Sequence, residues 1–232
     1  MDRVIGVLGG MGSMASQLFY KMVIDRTDAK CDQEHVRMVI FNDAAMPDRT
    51  KAILAQDYSK VDEQMLTDFQ LLENCGCQAI CITCNTAHFF ADRLKDKINI
   101  PIIHMIEETS AEIAAGFPGG KVAVLATDGT IETGLYQKRL ENHGLVPFSP
   151  SEDMQKIVMY QIYDRIKKGL PWDKEKWMIL ENYIKDNGCD CAIMACTELS
   201  VIKEDNRLED YYIDPMSVLA RKAVEFSGKK LK

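Results

Sequence analysis

The sequence predicts an α/β fold of two pseudo-symmetric lobes, each a mostly parallel sheet flanked by helices, with the functional site in the cleft between them. Three observations carry this. Strand-length apolar runs alternate with longer segments of helical period, the pattern of parallel strands joined by crossover helices. A segment that ends a strand in a cysteine occurs twice. The size and composition, 232 residues, 47% hydrophobic and 27% charged, provide core enough for one large domain or two small ones.

In chain order, residues 4–8 read as a strand and Gly9-Gly10-Met11-Gly12 as a turn. Ser13–Arg26 reads as a helix, with Leu18, Met22 and the Val23/Ile24 pair at helical spacing. Residues 36–41 (VRMVIF) form a second strand. Residues 59–75 form a helix with Val61, Met65, Leu66, Phe69 and Leu72 on one face and Gly76 as its stop. Residues 79–83 are a strand, 86–97 a helix, 101–103 a short strand, and 107–115 a helix ended by Gly116. After the Pro118-Gly119-Gly120 loop the rhythm repeats. Lys121–Ala126 is a strand and 131–143 a helix ended by Gly144; 154–168 and 173–187 are helices separated by Gly169-Leu170-Pro171. Cys191–Ala195 is a strand, 211–213 a short strand, and a last helix starts at Pro215.

The repeat is close. Gly76-Cys77-Gln78-Ala79-Ile80-Cys81-Ile82-Thr83-Cys84-Asn85-Thr86 lies on Gly188-Cys189-Asp190-Cys191-Ala192-Ile193-Met194-Ala195-Cys196-Thr197-Glu198, with Cys84 and Cys196 112 positions apart. Upstream, Val7-Leu8-Gly9-Gly10-Met11-Gly12 lies on Val124-Leu125-Ala126-Thr127-Asp128-Gly129 at a similar offset. A duplicated lobe accounts for both. The expected division is residues 1–102 plus 212–232 for the lobe carrying Cys84, and 103–211 for the lobe carrying Cys196. Each cysteine falls where a strand gives way to a loop or helix start, the end at which open α/β sheets bind ligands. Unpaired N–H groups and the positive end of a helix dipole there lower a thiol's pKa from about 8.5. Two such thiols across a cleft suit removal of a proton from one face of a small molecule and its return to the other.

Composition excludes several classes. With 28 Lys+Arg against 35 Asp+Glu the net charge is −7, and no basic cluster offers a nucleic-acid surface. No apolar run approaches the ~20 residues of a membrane span. The start, MDRVIGVLGGMG, has an early acid and too short an apolar stretch for a signal peptide, so a cytoplasmic location is expected. Its eight cysteines are then expected to be reduced.

Cys81 and Cys84 form C-x-x-C, but three positions along a strand send the side chains to opposite faces, which disfavours a redox or zinc pair. Cys75, Cys77, Cys189 and Cys191 are expected as buried filler, and Cys31 as partly exposed in a polar loop. His104 and His143 read as structural or surface residues. His88, one helical turn after Cys84, is placed to tune that thiol. Gly10-x-Gly12-x-x-Ala15, with Asp43 as the acid, also fits a dinucleotide fingerprint and makes an NAD(P)-dependent oxidoreductase the rival reading, one that leaves the duplicated cysteine loops unexplained. No P-loop lysine follows the glycines.

At the level of motifs the chain resembles the cofactor-independent aspartate/glutamate racemases, and within them the aspartate racemase branch. The matching residues are Ile5-Gly6-Val7-Leu8-Gly9-Gly10-Met11-Gly12, Asp32-Gln33-Glu34-His35, Pro47-Asp48-Arg49-Thr50, Cys84-Asn85-Thr86-Ala87-His88 and Cys196-Thr197-Glu198. Weaker matches are Met105-Ile106-Glu107-Glu108-Thr109, Leu125-Ala126-Thr127 with Gly129-Thr130-Ile131, and Ile213-Asp214-Pro215. Met11 and Glu198 stand where glutamate racemases usually carry an acid and a histidine. The departures are Ser13 and Thr83 in place of proline and Ala195 in place of glycine, and they bear on substrate range more than on the reaction.

The resemblance implies racemisation of aspartate, or of glutamate, by two bases, with Cys84 and Cys196 on opposite faces of the substrate. It implies no pyridoxal group or other cofactor, no metal, and a homodimer. Without an electron sink, fixed dipoles and the substrate's ammonium must stabilise the carbanion. Asn85, Thr86 and Thr197 directly follow the cysteines and are placed to hold the α-carboxylate, with Thr127 at the parallel strand end. Arg49 can grip a side-chain carboxylate bidentately, and Lys167 matches the family's substrate-binding lysine. Met11 and Glu198 complete the expected pocket. The alternatives are a hydantoin racemase, an arylmalonate-type decarboxylase, for which one thiol would suffice, a non-catalytic amino-acid-binding protein, or the oxidoreductase.

Overall fold

In the computed structural model, which describes residues 2–206 and 208–232, the chain forms two four-stranded parallel sheets of identical topology. The first lobe contains β1 (Ile5–Gly9), β2 (Met38–Asn42), β3 (Ala79–Ile82) and β4 (Ile102–Ile103), in the order β2-β1-β3-β4. The second contains β5 (Lys121–Ala126), β6 (Val146–Phe148), β7 (Cys191–Ala195) and β8 (Tyr212–Ile213), in the order β6-β5-β7-β8. The central pairs match: Ile5 lies beside Ala79 in the first sheet and Val122 beside Cys191 in the second.

Both faces of each sheet are buried, which is why the central strands read as unbroken apolar runs. Ile80 and Ile82 of β3 point into one core with Leu8; Ala79 and Cys81 point into the other with Ile5 and Val7. Helices α1 (Ser13–Arg26) and α11 (Pro215–Ser227) cover the second of these cores, and α3 (Ser59–Asn74) and α4 (His88–Leu94) the first. In the other lobe α9 (Lys174–Asp186) and α10 (Thr197–Asn206) cover one face, and α7 (Leu135–Asn142) the other. Helix α5 (Met105–Gly116) bridges the lobes: Met105 enters a core of the first, Ile106 and Ile113 a core of the second.

Several expected boundaries move. Tyr212–Ile213, grouped by sequence with the first lobe, pairs with β7 in the second sheet; Ile103, grouped with the second, pairs with Cys81 in the first. Strand pairing decides membership, and the chain returns to the first lobe only with α11. The helix expected at 131–143 breaks into α6 (Asp128–Glu132) and α7 at Gly134, which is left-handed. The helix expected over 154–168 is α8 (Glu152–Met159), followed by a π-helical turn at Tyr160–Arg165 and a 3₁₀ turn at Ile166–Lys168. Helix α2 (Arg49–Leu54), β6 and α10 lack the length or periodicity that a sequence reading needs. Among the described residues no helix is long and apolar enough to cross a membrane.

Candidate active site

Cys84 and Cys196 occupy equivalent positions, each two residues or fewer beyond the end of the third strand of its sheet, at the carboxyl edge. Both thiols are buried. Thr86 and Thr197 in the following turns are buried with them. Cys81, by contrast, faces the opposite core from Cys84, so the C-x-x-C residues do not face one another. Among the described residues no cluster of three His, Cys, Asp or Glu side chains is arranged to hold a metal.

The turn after β1 closes one side of the site. Gly10 N–H donates to Ser16 Oγ at 3.0 Å, and Ser16 Oγ and Thr83 Oγ1 are 3.0 Å apart, so the hydroxyl of Thr83 ties the strand end before Cys84 to the glycine turn. Gly12 has φ +134°, and a Cβ there would lie 2.9 Å from Glu198 Oε1 of the other lobe. A side chain at this position would be strained and would push the acid away.

The lobes meet in a cluster of four hydroxyls. Thr86 Oγ1 lies 3.1 Å from Thr127 Oγ1 and 2.8 Å from Thr130 Oγ1; Thr127 and Thr130 are 3.2 Å apart, and Thr50 donates to Thr127 at 3.3 Å. Gly129 makes this approach possible, because a Cβ there would be 2.9 Å from the Cα of Thr50. Thr127 is also the N-cap of α6. Thr50 and Thr130 join the site through tertiary packing; the only sequence signal for them was their place inside matched motifs.

Two cationic groups behave differently. Arg49 Nη1 donates to the carbonyls of Met46 (3.2 Å) and Pro47 (2.8 Å), and Nη2 to that of Met11 (3.4 Å), while its buried Nε has no partner among the described residues. The guanidinium is thus pinned by backbone with its Nε/Nη2 edge still able to donate. Buried Asn85 is similar: Oδ1 accepts from Tyr136 OH at 2.6 Å, and Nδ2 is unpartnered. An unpaired buried donor costs about 1–3 kcal/mol, which a ligand carboxylate would recover. Tyr136 comes from α7 with no local signal in the sequence.

Lys167, delivered by the 3₁₀ turn, is 2.9 Å from Glu198 Oε1. The other oxygen, Oε2, accepts from the Cys196 thiol at 2.9 Å. Burial works against the lysine's charge, but Glu198 and then the thiols outweigh it and raise its pKa. Burial, followed by the charge of Glu198, pushes the Cys196 thiol well above the ordinary cysteine range. The ion pair also lines a pocket of about 280 Å³ with Gly12, Met14, Ile166 and Val201.

His88 does not reach a thiol. It is fully buried, with Nδ1 2.9 Å from the Cys84 carbonyl oxygen and Nε2 accepting from Met105 N–H at 3.2 Å. The ring is therefore neutral with its proton on Nδ1, and burial, aided by His104, pushes its pKa down to about 3. His104 caps α5 and His143 pairs with Glu107 at the surface. Cys77, Cys189 and Cys191 are buried filler, but Cys75 is exposed, because it ends α3 just before the left-handed Gly76.

A family profile described as Asp/Glu/Hydantoin racemase matches residues 8–223. The chain is 28% identical over 227 residues to the broad specificity amino-acid racemase RacX of Bacillus subtilis, covering 95% of this chain and 96% of that one. It is 27% identical over 131 residues to the glutamate racemase of Corynebacterium kroppenstedtii, covering 55% of this chain and 44% of that one. Among solved structures, the aspartate racemase of Picrophilus torridus superposes with a TM-score of 0.78 at 29% identity, over 99% of this chain and 96% of that one. The aspartate racemase homologue PH1733 of Pyrococcus horikoshii shares the fold, with a TM-score of 0.77 at 22% identity over 98% of this chain and 100% of that one. With its paired sheets, matched cysteines and a profile match along nearly its whole length, the chain belongs to the Asp/Glu/hydantoin racemase family.

Proposed function

We propose that this protein, an isomerase of the amino-acid racemase type, interconverts L- and D-aspartate, with glutamate as its second substrate, and that Cys84 and Cys196 are its two bases. The observation that carries this reading is the placement of two buried thiols at the same strand end of two lobes that share one topology. One thiolate removes the Cα proton, and the other thiol protonates the opposite face. The partnerless donors of Arg49 and Asn85 support a substrate with two carboxylates, the guanidinium edge taking the side-chain group and Asn85 with the threonine hydroxyls the α-carboxylate. Donors already fixed in place stabilise developing carbanion charge without reorganising. A local cation is also what a chain of net charge −7 needs to admit an anion.

The match to RacX along the whole chain supports a second reading, that the enzyme accepts a wider set of amino acids. The engagement of Lys167 by Glu198 supports it too, because it withdraws one of the two expected cations from a side-chain carboxylate. Incubating single enantiomers of aspartate, glutamate, alanine and lysine in D2O and following Cα exchange and optical rotation separates the readings. Racemisation of aspartate at least tenfold faster than of alanine supports the acidic substrate; comparable rates support the broad one. We propose further that the enzyme acts in the cytoplasm as a homodimer of two-lobed chains, checked by sedimentation of the purified protein.

A further inference from the structure

The Cys196 thiol and the Lys167 ammonium share one carboxylate. Glu198 accepts from the thiol through Oε2 and from the ammonium through Oε1, each at 2.9 Å, and only 5% of the residue is exposed. Gly12 is the residue that leaves room for it. A carboxylate so enclosed makes a poor ligand for an anionic substrate: it would face the substrate's carboxylates as a like charge. It is well placed to handle the proton of the thiol it touches.

We propose that Glu198 is the proton partner of Cys196, a positioning and proton-holding residue rather than a substrate ligand, and that Lys167 keeps it ready for this. In the direction that uses Cys196 as base, the S–H bond breaks and the proton forms an O–H bond on Oε2. The thiolate so formed takes the Cα proton, becoming S–H again, and Cys84 gives its S–H proton to the other face of the carbanion. Cys84 ends as thiolate and Glu198 as carboxylic acid. In the opposite direction Cys84 takes the Cα proton, Cys196 protonates the carbanion, and Glu198 returns its proton to Cys196. Two protons are thus shared among three groups, and both directions start from a state that the other leaves. Glu198 also explains how Cys196, buried and beside a carboxylate, serves as a base at all: its proton has an acceptor 2.9 Å away.

The titratable groups that face Cys196 are Glu198, Lys167, Cys84 and, more distantly, the phenols of Tyr136 and Tyr163. The inference rests on the two-thiol reading, and its test distinguishes the two failures. In Glu198→Gln the amide still accepts from the thiol but neither carries the charge nor takes the proton. Its kcat for racemisation should fall at least about 30-fold while KM changes less than about threefold, within the range of proton-transfer catalysis. Glu198→Asp should recover part of the loss. In a Cys84→Ser background, the pH midpoint for alkylation of Cys196 by iodoacetamide should lie above the free value of about 8.5 and drop by a unit or more when Glu198→Gln is added. A raised KM with unchanged kcat, or an alkylation midpoint that does not move, overturns the proposal. If Glu198→Gln does not fold, the Cys84→Ser protein alone decides: a Cys196 midpoint below about 8.5 overturns the proposal. Full racemisation by Cys84→Ala would instead overturn the two-thiol reading beneath it.

Discussion

The imidazole Nδ1–H of His88 donates to the backbone carbonyl of Cys84, one turn earlier in the chain, at 2.9 Å. With Nε2 taking the N–H of Met105, the ring joins the loop that carries Cys84 to the start of α5, the helix that spans both lobes. His88 thus acts on Cys84 through its backbone. Replacing it by leucine leaves a buried carbonyl and a buried N–H unpaired, at about 1–3 kcal/mol each. His88→Leu should lose roughly 2–6 kcal/mol in denaturant unfolding. His88→Asn, whose amide can reproduce the Nδ1 bond, should recover the Cys84 half of that loss and most of kcat. If His88→Asn and His88→Leu lose kcat equally, the carbonyl bond is not what positions Cys84.

The equivalence of Cys84 and Cys196 makes their variants interdependent. Cys84→Ala and Cys196→Ala should each lower racemisation by about 10²–10⁴-fold or more, and the double variant should be little worse, because groups that act as a unit are not additive. Each single Cys→Ser variant should still exchange the Cα proton of the one enantiomer that presents it to the remaining thiol. Measuring exchange and inversion separately for each enantiomer checks this. Exchange of both enantiomers at equal rates in a single variant would contradict a one-thiol-per-face arrangement.

That pairing is legible in the sequence, because a duplicated segment repeats its cysteine at a fixed distance from a helix-stopping glycine and a strand of nearly constant length. The parallel sheets were legible for a related reason: strands buried on both faces leave continuous apolar runs. What stayed hidden depends on contacts between the lobes. Nothing local to Thr50 or Tyr136 announces that one meets Thr127 and the other Asn85. The π-helical turn at Tyr160–Arg165 looks like ordinary helix in the sequence, because its apolar spacing is helical and the extra residue shows only in the hydrogen bonds. Glu198 looks like a pocket residue in the sequence, where nothing marks its carboxylate as occupied on both oxygens.

Arg49 offers a discriminating substitution. Three backbone carbonyls fix its guanidinium, and the Nε/Nη2 edge remains for a ligand. Arg49→Lys keeps the charge but loses the planar fork and the anchoring bonds. With hydrogen bonds to charged groups worth about 1.5–3 kcal/mol, kcat/KM for aspartate should fall roughly 10–150-fold. The loss for alanine should be under about threefold, since alanine has no second carboxylate to hold. Equal losses on both substrates would assign Arg49 to holding the Met11 turn.

Two buried groups oppose each other in the pH dependence of stability. Asp68, on α3, is raised to about 7 by burial and by the charge of the neighbouring Asp43 carboxylate. His88 is lowered to about 3 by burial. An acid with a raised folded pKa binds more protons in the native state, so the stability that Asp68 provides is fully present below its unfolded value of 3.8 and lost as pH rises through about 7. A base with a lowered folded pKa binds more protons unfolded, so stability is lost as pH falls from 6.5 toward about 3. Between about pH 4 and 6.5 the two slopes have opposite signs, each at most about 1.4 kcal/mol per pH unit. Asp68→Asn should therefore make stability rise more steeply with pH than in the parent across that window. It should also remove the penalty of ionising Asp68, so that the variant gains on the parent as pH rises to about 7 and keeps that gain above it. His88→Asn should do the reverse and leave a downward slope relative to the parent. Urea midpoints at half-unit pH steps for the three proteins check this, because every other titrating group cancels in the differences. Parallel curves would mean that neither group changes its protonation on folding as its burial requires.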